Sequence, residues 1–176
     1  MLLKNIRRPI QYHVGGVSQS IAFPTFLPNG LPALTAVLDA VTGKITGLTL
    51  APTVVPVILE FEENEGLFSD DVKIGVNRFP EPTVGYKFSG RDDDRNETMK
   101  AFDLTKTTHI VKLRTGNVVI VGYKNGLQST QSKSGSGAKR EDFAGYDIVL
   151  AGGETARCPD VPESVWETLL ALVVTV

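Results

Sequence analysis

The chain has 176 residues and a mass of 19.0 kDa, with 41% hydrophobic and 22% charged residues and a formal net charge of −2. These values suit a globular domain with its own core and disfavour a general nucleic-acid binder, which needs a basic footprint. One cysteine, Cys158, excludes an intramolecular disulfide, and two histidines leave few metal ligands beside it. We expect one domain over residues 1–176 in a reducing compartment. Residues 1–14 form an N-terminal arm and 159–176 a C-terminal extension.

The arm (MLLKNIRRPIQYHV) is basic but lacks the apolar centre of a signal peptide. From Gly15 to Leu50, short apolar runs alternate with Pro28-Asn29-Gly30 and Asp39 to Gly43, turn formers that predict hairpins. The run ALTAVLDAV fits a strand or a single helical turn. Leu48 to Phe61 is cut by Pro52 and Pro56, so it is not a membrane span. Val54 to Phe61 reads as a buried strand at an edge or bulge, because proline cannot donate to a sheet ladder.

The acidic stretch Glu62 to Asp71 predicts an exposed loop. Thr83 to Ser89 alternates cleanly, placing Val84, Tyr86 and Phe88 on one face of a half-buried strand. Arg91 to Arg95 breaks that strand, and Asn96 is the candidate cap of a helix reaching Lys106. Met99, Phe102 and Lys106 then share one helical face. Ile110 to Leu113 and Val118 to Tyr123 form a hairpin about Thr115-Gly116-Asn117. Ser129 to Glu141 reads as a polar loop, and Tyr146, Ile148 and Leu150 as the inward face of the last core strand. In the tail, Val165, Leu169 and Val173 fit a helical stripe or a final strand.

No set of residues points to catalysis, a cofactor or a metal. Asp92-Asp93-Asp94 are consecutive, whereas calcium loops take ligands at alternate positions around a glycine, so a solvated turn reads better. Gly135 to Lys139 lacks the spacing and the strand-loop-helix context of a phosphate loop. No G-x-S-x-G surrounds any serine. His13 and His109 have no recognisable partner, and His109 reads as a strand-edge residue. Cys158 follows a cation, Arg157, which lowers a thiol pKa, but a lone thiol without a placed base reads as a loop residue.

Long polar segments on a small β core point instead to surfaces made for other subunits. A long unstructured loop is usually disordered or functional. The cations Lys133, Lys139 and Arg140, with Ser134 and Gly135 between them, complement Glu62, Glu63, Glu65, Asp70 and Asp71 of another copy. Complementary charge of this kind sets register and encounter. These ten residues and the arm Met1 to His13 are the candidate subunit interface.

Three stretches carry a resemblance. They are Asn117-Val118-Val119-Ile120-Val121-Gly122-Tyr123-Lys124-Asn125-Gly126-Leu127, the Ser134 to Ala138 loop, and Asp142 to Glu154 with its Asp-x-x-Gly-Tyr strand. In this order, across Gly75 to Glu154, the chain resembles the tail tube and tail-ring structural proteins of tailed bacteriophages. The resemblance implies a mainly β fold, a β-sandwich or partial barrel with one short flanking helix and long loops. It also implies a virion protein, made in the bacterial cytoplasm, that is not an enzyme. Its subunits would form stacked, hexameric rings with themselves and meet other tail or neck proteins, with DNA passing through the lumen without specific binding. The alternative is a virion-borne β-sandwich module for a carbohydrate or other ligand. Such modules present exposed aromatics, and here only Trp166 lies off the inward faces.

Overall fold

The computed structural model describes residues 15–39, 41, 44–61, 65–74, 78–90, 92–135 and 144–173. Eleven strands and two helices follow in order. They are β1 (Val17–Pro24), β2 (Leu34–Leu38), β3 (Ile45–Leu50), β4 (Val57–Glu60), β5 (Gly66–Ile74) and β6 (Arg78–Ser89). Helix α1 (Asp93–Leu104) leads to β7 (Thr107–Leu113), β8 (Val118–Val121), β9 (Gln128–Gly135), β10 (Gly145–Ala151), β11 (Asp160–Val161) and α2 (Glu163–Leu170). The fold is mainly β, as expected, and it carries two short helices where one was expected.

Three antiparallel sheets result: a five-stranded sheet in the order β11-β8-β7-β1-β4, a four-stranded sheet in the order β5-β6-β10-β9, and the hairpin β2-β3. Side chains alternate along each strand, so the five-stranded sheet feeds two cores. One face sends Ala22, Val111, Val119 and Val121 toward Val84, Tyr86, Ile148 and Leu150 of the four-stranded sheet and Met99 and Phe102 of α1. The other sends Ile21, Phe23, Ile110 and Ile120 toward Leu34, Ile45 and Leu48 of the hairpin and Val165, Trp166 and Leu169 of α2. A strand covered on both faces must be apolar throughout, which is why β8 reads VVIV and is buried at all four residues.

Several expectations change. Only residues 62–64 of the acidic stretch lie outside the described residues; from Gly66 onward the stretch is β5, paired with β6 from Gly66↔Tyr86 to Ile74↔Arg78. Its charges suit an edge strand, where solvent hydrates them and deters unwanted pairing. The polar segment from Ser129 is likewise a strand as far as Gly135, since β10 supplies its hydrogen bonds; residues 136–141 lie outside the described part. The expected strand at Val54 shortens to β4, an edge strand that begins just after Pro56.

The helix is capped by Asp92, not Asn96. Asp92 is extended (φ −144°, ψ 172°) and its carboxylate accepts from Arg95 N at 2.7 Å. The run read as a solvated turn therefore starts the helix, with Asp93 and Asp94 facing the positive end of its dipole. Met99 and Phe102 are buried as expected, whereas the helix stops before Lys106. The β-branched Thr105, Thr107 and Thr108 favour extended backbone and carry the chain into β7. In the tail, Val165 and Leu169 of the expected stripe lie buried on α2, which ends at Leu170, before Val173. Trp166 is not an exposed exception: it is 2% exposed, against the five-stranded sheet.

Pro80 and Pro82 lie inside β6, yet they cost little pairing. Lys87 N donates to Glu65 O at 2.8 Å, which sets the phase of the β5–β6 ladder. In that phase the even-numbered residues of β6 face β10, so both prolines turn their missing donors away from β5. β10 ends at Ala151, and the two proline carbonyls accept instead from Gly152 N (3.4 Å) and Glu154 N (2.8 Å).

Candidate functional site

The two oppositely charged segments occupy opposite edges of one sheet. β5 carries Asp70 and Asp71, with Glu65 just before it, and β9 carries Lys133, Ser134 and Gly135. Glu62, Glu63, Lys139, Arg140 and the arm 1–14 lie outside the described residues. Asp71 is exposed, but Asp70 is turned toward the segment before β11. There its carboxylate accepts from Cys158 N at 3.2 Å and pairs with Arg157 at 3.6 Å, while its carbonyl takes Arg157 Nη1 at 2.7 Å. Part of the β5 edge is thus fastened to its own chain.

Register also aligns charges across the sheet's outer face. Glu65 lies beside Lys87, Lys87 opposite Asp147, and Asp147 opposite Lys133. Negative and positive alternate from the residue before β5 across β6, β10 and β9, beginning in a carboxylate and ending in an ammonium. Neighbouring cross-strand pairs of this kind contribute about 0.2–1 kcal/mol each. This row was invisible in the sequence, because its members lie far apart and only register brings them together.

A second group is polar and buried between the sheets. Ser20, Tyr86 and His109 are all 0% exposed. Tyr86 Oη lies 3.0 Å from Ser20 Oγ and 3.0 Å from His109 Nδ1, and His109 Nε2 lies 2.9 Å from Thr107 Oγ1. His109 is therefore no strand-edge residue and has two partners. Its strand β7 is central, and its ring packs 5.5 Å from those of Tyr86 and Phe102. With the tyrosine hydroxyl donating to Ser20, Nδ1 donates to Tyr86 and Nε2 accepts from Thr107, which satisfies a neutral ring. Burial pushes the imidazole down to about 3 and raises the Tyr86 phenol well above its usual range. Full burial denies these groups a substrate, so the network joins the two sheets. The readable signal was a polar group among apolar inward positions: Ser20 beside Ala22, Tyr86 beside Val84 and His109 beside Val111.

The Cys158 thiol is pushed up to about 12 by burial and by the carboxylates of Asp70 and Glu154, which outweigh Arg157. It is not an activated nucleophile. Glu154, 7% exposed, accepts from Lys124 N at 3.2 Å and Asn125 N at 3.1 Å, holding the Gly-x-x-Asn-Gly-Leu turn. Gly122 in that turn has φ 71°, and a Cβ there would lie 2.8 Å from Leu127 Cγ. Glycine alone fits. Among the described residues, no three His, Cys, Asp or Glu side chains gather as metal ligands, and no helix is long and apolar enough to cross a membrane.

Comparison of the chain with protein-family models, curated proteins and solved structures finds no match.

Proposed function

We propose that this chain is a non-enzymatic virion structural protein, a self-assembling tail tube or tail-ring subunit. Its copies join head to tail into a closed, hexameric ring, and rings stack around a channel for DNA. One observation carries the reading: the acidic β5 and the basic β9 form opposite edges of a sheet whose outer face, among the described residues, carries a row of alternating charges. A head-to-tail contact uses two different patches, one from each neighbour, and closes when the rotation between them closes. The charge row from Glu65 to Lys133 supports that geometry, since a second copy beside β9 continues the alternation. The strands fit as well: β5 and β9 run in opposite directions, so the junction is antiparallel.

The outer face also suits a channel wall. Its charge row sums to zero, and a wall that passes DNA without holding it needs few phosphate contacts, each of which adds affinity. Other tail or neck proteins are the remaining partners, and the virion is where the protein acts. A ligand-binding module is less well supported, because Trp166, Tyr86 and Tyr146 are buried and unable to stack on a sugar.

Negative-stain electron microscopy of the concentrated protein, with solution mass alongside, tests the proposal. Rings or striated tubes with a central hole are expected. A monomer at every concentration overturns self-assembly.

A further inference from the structure

The tripeptide Asn-Gly-Leu occurs twice, at Asn29-Gly30-Leu31 and at Asn125-Gly126-Leu127. An Asn-Gly pair can react with itself, because glycine has no Cβ to crowd the approach of its amide nitrogen. That nitrogen attacks the asparagine Cγ and forms a new N–C bond. The side-chain amide leaves as ammonia, taking the proton that the glycine nitrogen gives up. Water then opens the five-membered succinimide at either carbonyl, leaving aspartate or isoaspartate. Water is the one co-reactant, and nothing is oxidised or reduced. The attack needs the peptide between the two residues to swing toward Cγ, so local freedom sets the rate.

The first pair sits in the turn between β1 and β2. Gly30 N donates to Leu27 O at 2.8 Å, Leu27 N to Leu31 O at 2.8 Å, and Leu31 N to Asn29 Oδ1 at 3.1 Å. These three bonds stay within residues 27–31. Pro28, Asn29, Gly30 and Leu31 are exposed, and a Cβ on Gly30 would meet no described atom within 4 Å. Opening the turn breaks those three bonds without unpairing β1 or β2.

The second pair is tied to distant segments. Asn125 Nδ2, the leaving group, donates to Gly153 O at 2.7 Å, and Asn125 N donates to Glu154 Oε1 at 3.1 Å. Leu127 N donates to Thr107 O at 2.8 Å and Thr107 N to Leu127 O at 2.9 Å, so both flanks of Gly126 are fixed. Gly126 itself is buried at φ 72°, packed against Thr25, Lys106 and Gly152. Swinging its peptide toward Cγ breaks these contacts together. A carboxylate at position 125 would also lose the bond to Gly153 O and stand near the carboxylate of Glu154.

We propose that Asn29 is a site of spontaneous deamidation and that the fold withholds the same reaction from Asn125. Each event at Asn29 makes the formal net charge one unit more negative than −2. The inference does not rest on ring formation, because it concerns one chain and water.

Peptide mass spectrometry of the full-length protein tests it, after incubation at mildly alkaline pH in water enriched in heavy oxygen. The label marks side-chain carboxylates formed during incubation, and no variant has to fold. In the native protein, conversion at Asn29 should run at least about tenfold faster than at Asn125, where rare local opening limits the reaction. In denaturant the two rates should converge, because the two tripeptides are identical. Equal native rates overturn the proposal, as does faster conversion at Asn125. An Asn29 amide that survives in the native protein while the denatured chain converts also overturns it. A gap that persists in denaturant assigns the difference to the neighbours Pro28 and Lys124 and overturns the role given to the fold.

Discussion

The two large sheets share one core but are covered differently. The five-stranded sheet is packed on both faces, by the four-stranded sheet on one side and by the β2-β3 hairpin and α2 on the other. The four-stranded sheet is packed on one face and presents a charged row on the other. The first is a scaffold and the second a surface. Substitutions in the first should act on stability, and outward substitutions in the second on association.

The largest effect should come from Ile120→Ala, at a residue 0% exposed between β8 and the hairpin. It should cost about 3–4 kcal/mol by denaturant unfolding, from lost burial and a residual cavity. Outward Val149→Ala in β10 should cost less than about 1 kcal/mol. Equal costs would dissolve the distinction between scaffold and surface.

The buried imidazole makes the contact between the sheets sensitive to acid. His109 ionises at about 3 in the fold, below its ordinary 6.5. Between those values the unfolded chain binds a proton that the native chain does not, so stability falls as pH drops below 6.5 and keeps falling to about 3. The loss over this window is several kcal/mol. His109→Gln should flatten the slope of stability against pH by up to one proton; an unchanged slope would mean that the ring is reached by water. Tyr86→Phe, which strips a partner from Ser20 and His109, should cost about 1–3 kcal/mol at pH 7.

Smaller still is Asp92→Ala, expected to cost about 1 kcal/mol through the lost helix cap. Asn96→Ala should cost less, and the reverse order would reinstate the cap read from the sequence. Lys133→Glu should change monomer stability by less than about 0.5 kcal/mol, as surface changes do. It should nevertheless raise the concentration needed for assembly severalfold at low salt, an effect lost near 1 M salt where charges are screened. Assembly insensitive to this reversal would remove β9 from the interface.

Legibility followed the same division. Buried strands announced themselves: Val84 and Tyr86, and Ile148 and Leu150, stand at period two, and the hairpin about Gly116 has its turn at φ 89°. The surface strands did not. β9 is polar apart from its last glycine and β5 is interrupted by Ser69, Asp70, Asp71 and Lys73, and such an edge strand has the composition of a loop until a neighbour supplies its ladder. The candidate interface residues could be named from charge, but that Asp70 binds Arg157 and Cys158 of its own chain depends on two segments far apart in sequence.

What the sequence determined by itself is therefore local: the apolar alternation, the turns, and the absence of a recognisable catalytic motif. These depend on the side-chain period and on residues close along the chain. Tertiary structure alone decided which strands are central and which are edges. It also decided that His109 is a buried partner of Tyr86, and that Glu65, Lys87, Asp147 and Lys133 form one row. Register and packing between distant segments create those relations, and a pattern confined to neighbouring residues does not encode them.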